Sequence, residues 1–307
     1  MRLFLLTLFF LPLLSVDILA QTGAPIGPQV ISPEFQPGNT YRFVTKTEVM
    51  MQLPGQGTKE MVIEHQARLD VGVRKDGRKG VEIKARTERL DVDLRSGSRE
   101  LKYNSLEKED RETTLGKHFQ SSLNRWLDLK LDSKLRIVSA EEGGRAGVAT
   151  PLPGLPQFGP DELRKLVASI PQGFPEDPVE VGDEWVLKGD RSVGEAGAMA
   201  FEVTYRFMGY TNFEGNNCAV IEFDGRLTGD LALTTDAGSS LAQGRMDFQG
   251  TSLRGRILFD PLDKTVRQSE QAISMTLDVP AGPGEQPARV PMKQTSTLRL
   301  LQVAASQ

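Results

Sequence analysis

Residues 41–73 read YRFVTKTEVMMQLPGQGTKEMVIEHQARLDVGV, and apolar side chains alternate with polar ones through both arms of this stretch. The first arm places on one face Tyr41, Phe43, Thr45, Thr47, Val49, Met51 and Leu53. The second arm does the same with Met61, Ile63, His65, Ala67, Leu69, Val71 and Val73. Such alternation is typical of strands with one buried face. Because the Pro54–Gly57 segment has turn composition, the stretch predicts two long antiparallel strands.

The alternation continues beyond residue 73 but changes phase. A hairpin signal, Lys75-Asp76-Gly77, comes first. The next apolar residues lie on odd positions and then on even ones: Val81, Ile83 and Ala85, followed by Leu90, Val92 and Leu94. Because one extra residue shifts the side-chain period, the slip near residues 87–89 predicts a β-bulge.

The second half of the chain repeats this β pattern. Further strands are predicted near residues 244–259, 265–279 and 292–303, with a turn at Asp260–Asp263. Pro37–Tyr41 and Val181–Trp185 each combine a glycine, a polar pair and an aromatic residue at the start of a strand series, so we predict an internal duplication. Strands of about 16 residues would span roughly 50 Å if flat, and sheets that long twist and curl.

Two short helices are predicted among the strands. Leu115, Phe119, Leu123 and Trp126 have helical spacing, with Thr113 or Thr114 as the N-cap. Residues 160–170 carry the stronger signal, because Pro160 suits a first helical position and acidic residues follow it. The apolar stripe of this helix is Leu163, Leu166, Val167 and Ile170.

The predicted fold is mainly β, with long curled antiparallel sheets, half-barrel-like, in two related halves and one or two short packing helices. A curled sheet needs side chains, a helix or a ligand in its concave face, and we expect the 160–170 helix to pack there. The predicted divisions are a signal peptide at 1–20, a disordered lead-in at 21–37, a first β half at 38–142, a linker and helix at 143–178, and a second β half at 179–304.

The N-terminus indicates export. Arg2 precedes an apolar run from Leu3 to Leu14 that is shorter than the roughly 20 residues of a spanning helix. We therefore predict a periplasmic or extracellular protein with no transmembrane segment in its mature part.

Composition excludes several function classes. The 307 residues carry a net charge of -4, which argues against nucleic-acid binding. One cysteine excludes an intrachain disulfide and a cysteine-cluster zinc site, and two histidines make a poor metal site. We predict no metal, no cofactor and no catalytic residue. His65 is interpreted as a core residue, His118 as exposed, and Cys218 as a buried, inert thiol.

One segment carries a resemblance. The run Pro178-Val179-Glu180-Val181-Gly182-Asp183-Glu184-Trp185 follows a short helix and opens the second half. It resembles a step in a family of uncharacterised secreted bacterial proteins, a domain of unknown function, and this resemblance implies no activity. The motif has a structural interpretation, in which Trp185 is the first inward residue of a strand. The expected architecture is also similar to the half-barrels of periplasmic lipoprotein carriers.

Three function hypotheses follow. The first is a non-enzymatic envelope protein that binds a hydrophobic or lipid-like ligand in a curled-sheet cleft, with candidate lining residues Phe201, Tyr205, Phe207, Ile221 and Phe223. The second is a structural or interaction protein with a filled core, which would add a partner from the envelope at a sheet edge. The third, with the least support, is a hydrolase with a spatially assembled pair of carboxylates.

Overall fold

The computed structural model describes residues 27–53, 57–123, 125–144, 159–192, 197–234, 243–279 and 288–305. The predicted leader at 1–20 and most of the predicted linker lie outside these residues. The strands of the first half are β1 (Asn39–Leu53), β2 (Gly57–Val73), β3 (Val81–Ser96), β4 (Arg99–Asn104), β5 (Arg125–Leu131) and β6 (Ile137–Gly144). Those of the second half are β7 (Glu184–Ser192), β8 (Gly197–Phe213), β9 (Asn216–Thr234), β10 (Gln243–Asp260), β11 (Thr265–Val279) and β12 (Ala288–Ala305). The helices are α1 (Lys108–Glu112), α2 (Thr114–Leu123) and α3 (Pro160–Ser169).

The 12 strands of the described residues belong to one antiparallel sheet, which is curled but not closed. Its order is β6-β5-β3-β2-β1-β12-β11-β10-β9-β8-β7, with β4 paired to the far end of β3. The two halves of the chain meet where β1 pairs with β12. The predicted half-barrel-like β fold is confirmed, and the halves form one continuous sheet.

The concave face of the sheet carries the core. Alternate residues of β1, β2, β3 and β5 form one buried cluster with residues of β8, β9 and β10. The predicted bulge is present, because Gln66 pairs with Arg89 and Ala67 with Thr87, which leaves Glu88 as the extra residue. The bulge turns Leu90 to the same face as Ala85, and both are fully buried.

The helix α3 lies in the concave face, as predicted. The four residues of its apolar stripe are buried, and the helix contacts β3, β5 and β6. Gly159 is extended, and Pro160 follows it at the start of the helix. No helix among the described residues is both long and apolar enough to cross a membrane.

The helix α2 covers the far end of β3 and β4. Thr113 caps it, because its hydroxyl accepts a hydrogen bond from the Gly116 amide at 3.0 Å. Two expectations are wrong here. The helix ends at Leu123, so Trp126 lies in β5 instead. His118, predicted to be exposed, is 6% exposed because its ring packs against Phe119.

The predicted disordered lead-in is wrong for residues 29–37. Gln29 and Val179 exchange two backbone hydrogen bonds, and the Glu34 amide donates to the Lys264 carbonyl at 2.8 Å. Ile31 and Phe35 are buried, because the segment crosses the end of the curled sheet and presents both side chains to the core. Glycine and proline content predicted disorder, but the two apolar anchors overrule it. This end of the sheet is therefore filled.

Candidate ligand-binding cavity

A cavity of about 560 Å³ lies between α3 and the concave face of the sheet. The helix contributes Leu166 and Ile170 to its wall. Strands β7 to β10 contribute an apolar wall, which consists of Leu187, Phe201, Val203, Tyr205, Phe223, Leu227, Leu253 and Ile257. Strands β1, β2, β11 and β12 contribute a wall rich in polar side chains, which includes Thr45, Thr47, His65, Ser269, Gln271, Gln294 and Ser296. The same wall also contains the apolar residues Val266, Ile273 and Leu298. The cavity therefore has one apolar side and one largely polar side.

Strand register explains this division. One row of directly paired residues crosses the concave face in the order Trp185, Tyr205, Phe223, Gly255, Gln271, Ser296, Thr47 and Ile63. Directly opposed residues of antiparallel strands share a face, so the row changes from aromatic to polar at the glycine. The polar section lies on β11, β12 and β1, which meet only because the two ends of the chain pair.

The aromatic section is tightly packed. The Trp185 and Tyr205 rings stack at 5.9 Å with an angle of 10°, and Tyr205 lies 5.4 Å from Phe223. Trp185 also donates its indole N–H to the Gly173 carbonyl at 3.1 Å, which supports its predicted structural role. Burial raises the pKa of Tyr205 to about 12, so its phenol stays neutral.

Two glycines give the phenylalanine rings their positions. Gly189 is paired with Phe201, and Gly255 is paired with Phe223. A Cβ at Gly189 would lie 2.7 Å from Phe201 Cζ, and one at Gly255 would lie 2.3 Å from Phe223 Cζ. Each ring therefore lies over a position of the neighbouring strand that has no side chain.

Hydrogen bonds connect some of the polar side chains of this wall. The hydroxyls of Thr47 and Ser296 are 3.4 Å apart, and Gln294 Nε2 donates to Ser296 Oγ at 3.2 Å. Thr45 donates to the His65 carbonyl at 3.3 Å. These side chains are only partly buried, so they remain in reach of whatever fills the cavity.

His65 is buried, as predicted for a core histidine. Its Nε2 lies 2.8 Å from Thr87 Oγ1, which satisfies one ring nitrogen. Burial lowers the pKa of His65 to about 4, because a charged imidazolium would lose its hydration. His65 is therefore neutral at ordinary pH and adds no charge to the polar wall.

Charge is confined to one pair on α3. Among the described residues that line the cavity, Glu162 and Lys165 are the ones that carry charge at neutral pH, and Lys165 Nζ lies 2.8 Å from Glu162 Oε1. Their side chains are 33% and 62% exposed, so the pair lies at the opening of the cavity. Glu162 is the one carboxylate in this described lining, so the paired-carboxylate hypothesis gains no support here.

The five predicted lining residues lie in different rows of the sheet, and only some of these rows reach the cavity. Phe201, Tyr205 and Phe223 line the cavity. Phe207 and Ile221 face the same side but lie one row closer to the filled end, where both are fully buried. Alternation predicted the face correctly, whereas the row depends on the register between strands.

Sequence reasoning missed the polar wall. Gln271, Ser296 and Thr47 occupy inward positions in alternating strands, where an apolar residue is the usual choice. Polar residues at these inward positions were the sequence signal that could have predicted the polar wall. Because the three residues are far apart in the chain, the signal becomes a group only once β1, β12 and β11 are known to be neighbours.

Two other groups have structural roles. Cys218 is buried, and burial raises the pKa of its thiol to about 11, which agrees with the prediction of an inert cysteine.

Asp260 is buried in the predicted turn and accepts hydrogen bonds from Arg267 Nε at 3.0 Å and from the Leu262 amide at 3.0 Å. The Asp260 carboxylate thus holds the turn and one guanidinium.

No protein-family model and no curated protein matches the chain, so the family resemblance at 178–185 stays a prediction. Among solved structures, a structure of lipid–protein interactions in lipovitellin matches 89% of this chain at 12% identity and a TM-score of 0.46. This chain covers 26% of that lipovitellin chain. DynF of the dynemicin biosynthesis pathway of Micromonospora chersina has a TM-score of 0.21 and 10% identity, with 90% of this chain and 85% of that chain covered.

A third similar structure is an exported protein with a YmcC-like fold from Bacteroides fragilis. It has a TM-score of 0.26 and 10% identity, and the match covers 90% of this chain and 99% of that chain. Such low scores give no basis for assigning a function.

Proposed function

We propose that this is an exported, non-enzymatic envelope protein that binds a hydrophobic or lipid-like ligand between α3 and the curled sheet. The observation that carries the proposal is the cavity of about 560 Å³ with its apolar wall on β7 to β10. Ligand-binding pockets typically measure roughly 300–1,000 Å³ and are lined mainly by apolar and aromatic side chains.

The size of the cavity argues against a packing defect. Protein interiors are close-packed, and voids larger than a water molecule are few. The cavity opens to solvent beside Glu162 and Lys165, so water occupies it when no ligand is bound. Replacement of water against the apolar wall by a hydrophobic ligand is favourable.

Native mass spectrometry tests the proposal. The protein is expressed as the full chain and purified gently from the envelope fraction. We expect an added mass that organic solvent releases as a hydrophobic compound. An Ile273→Trp variant places an indole in the cavity and should lose the adduct, because Ile273 lines the cavity from β11.

The matched control is Val186→Trp, because Val186 is 51% exposed on β7 and does not line the cavity. It should keep the adduct. A bare protein mass, together with no uptake of the neutral apolar dye N-phenyl-1-naphthylamine, would refute the proposal.

A second candidate function is partner binding at a sheet edge. The sheet is open, and β7 is the outermost strand at one end among the described residues. Val186 is exposed on it and does not line the cavity, as suits an edge that adds a partner strand. A Val186→Pro variant would remove a backbone donor and should abolish co-purification of such a partner, whereas Ile273→Trp should preserve it. Equal recovery of the partner with both variants would exclude the edge.

A further inference from the structure

The polar wall forms a strip on three adjacent strands. Gln271, Ser296 and Thr47 are directly paired neighbours across β11, β12 and β1. Adjacent strands lie about 4.8 Å apart, so the strip spans roughly 10 Å. That width suits a small polar group, and the aromatic residues of the same row continue from its edge. A ligand that reached both sections would need a polar part joined directly to an apolar part.

The strip offers hydrogen bonds in both directions. The hydroxyls of Thr47 and Ser296 each donate and accept, and an amide side chain does the same through separate atoms. Among the described residues, the Gln271 amide and the Ser269 hydroxyl form no hydrogen bond with the protein. These groups lie in the cavity wall, partly buried, and are available to a ligand.

The strip carries no charge. His65 beside it is neutral at ordinary pH, and the ion pair of Glu162 and Lys165 lies at the opening, where each charge is already compensated. A carboxylate or phosphate placed on the strip would lose hydration without gaining a counter-ion. Hydroxyl groups would exchange water for hydrogen bonds of the same kind.

We infer that the ligand is an uncharged amphiphile, whose hydroxyl-bearing head group binds the strip of Gln271, Ser296 and Thr47 while its chain lies on the apolar wall. A monoacylglycerol is the simplest compound of this class. The inference rests on the proposed function and adds the chemistry of the ligand. It distinguishes neutral, hydroxylated lipids from fatty acids and phospholipids, which share the apolar chain but carry charge.

Three probes with one chain length test the inference: 1-decanoylglycerol, decanoate and decyl phosphate. Each is titrated against the purified protein at pH 8 by displacement of N-phenyl-1-naphthylamine fluorescence. We expect 1-decanoylglycerol to bind at least tenfold more tightly than either anion. Dye uptake with equal or tighter binding of an anion would overturn the inference and leave the proposed function standing. No dye uptake and no probe binding would overturn both.

A double variant locates the head group. Thr47→Val with Ser296→Ala removes two hydroxyls, and we expect roughly a tenfold loss of 1-decanoylglycerol affinity while the affinity for the apolar dye is kept. Thr295→Val is the matched control, because Thr295 is exposed on the opposite face of β12. Unchanged 1-decanoylglycerol affinity in the double variant would overturn the inference.

Lys165→Gln tests the competing arrangement, in which an anionic head group binds at the opening. If decanoate binds as tightly as the glycerol ester and loses its affinity in Lys165→Gln, the head group is anionic and the inference is wrong. If decanoate binds weakly in both proteins, the inference is supported.

Discussion

Gly189→Ala is the sharpest test of how the cavity is built. The new Cβ would lie 2.7 Å from Phe201 Cζ, whereas ordinary contacts begin at 3.4 Å, so the ring must move by about 0.7 Å. The three heavy atoms nearest to that Cβ all belong to the Phe201 ring, so this side chain can move without a shift of the backbone. Because Phe201 lines the cavity, we expect its ring to turn into the open space.

We expect Gly189→Ala to change the stability of the protein little and to weaken ligand binding clearly. A ring moved about 30° from its rotamer costs roughly 0.5–1.5 kcal/mol. Replacing glycine in a strand returns about 0.5–1 kcal/mol. The net change in the free energy of unfolding should therefore stay within about 1 kcal/mol. If the ring edge displaces about two methylene groups of the ligand, the ligand loses roughly 1.6 kcal/mol of binding free energy from apolar burial. This loss lowers ligand affinity roughly tenfold.

The assay pairs urea denaturation with titration of N-phenyl-1-naphthylamine. Gly72→Ala is the control, because the nearest atom to its new Cβ is 4.0 Å away, and we expect unchanged dye affinity there. Gly255→Ala should behave differently, because its Cβ would lie 2.1 Å from the Glu270 carbonyl oxygen and the backbone cannot yield cheaply. That variant should lose at least about 1–3 kcal/mol of stability. Wild-type dye affinity in Gly189→Ala would refute the role of Phe201 as a cavity wall.

Three further predictions concern buried polar groups. Burial lowers the pKa of His65 from 6.5 to about 4 in the folded protein. The free energy of unfolding therefore has its full value above pH 6.5, where His65 is neutral in both states, and decreases as the pH falls from 6.5 through 4. The expected decrease is about 3 kcal/mol. Urea denaturation of the wild type and of His65→Gln should therefore give a difference in unfolding free energy that changes between pH 6.5 and 4. A constant difference would contradict the lowered pKa of His65. Asp260→Ala should cost about 1–3 kcal/mol, because it leaves the Leu262 amide unpaired and leaves Arg267 with the exposed Asp263 as its carboxylate partner. A loss below about 0.5 kcal/mol in the same assay would show that solvent replaces the Asp260 carboxylate. The Cys218 thiol should not react with a chromogenic disulfide reagent at pH 8 until denaturant is added, and immediate reaction would show that it is accessible.

Local patterns were enough to predict which face each strand buries. Strict alternation placed Tyr205 and Phe223 on the concave side, and the change of phase near residue 87 predicted the bulge that keeps Leu90 there. The apolar stripe and first proline of α3 likewise predicted a packing helix. These features depend on side-chain periods of two or about 3.6 residues, which the chain carries within a few residues of each site.

Other features depend on partners that are distant in the chain. Residues 29–37 have the composition of a loose tail, yet Ile31 and Phe35 are buried because the end of the sheet offers them a core. His118 is buried for a similar reason, since its helix packs onto strands that alternation alone does not bring to it.

The sequence by itself determined a curled antiparallel β fold, the inward faces of its strands and the helix that lies among them, because period and turn chemistry are local properties. Only the tertiary structure decided that β1 pairs with β12, that one end is filled, and that a cavity remains beside α3. The register between distant strands then placed Gln271, Ser296 and Thr47 in one row. That row is a long-range property, because side chains separated by more than 200 residues become neighbours only when both chain ends join the same sheet.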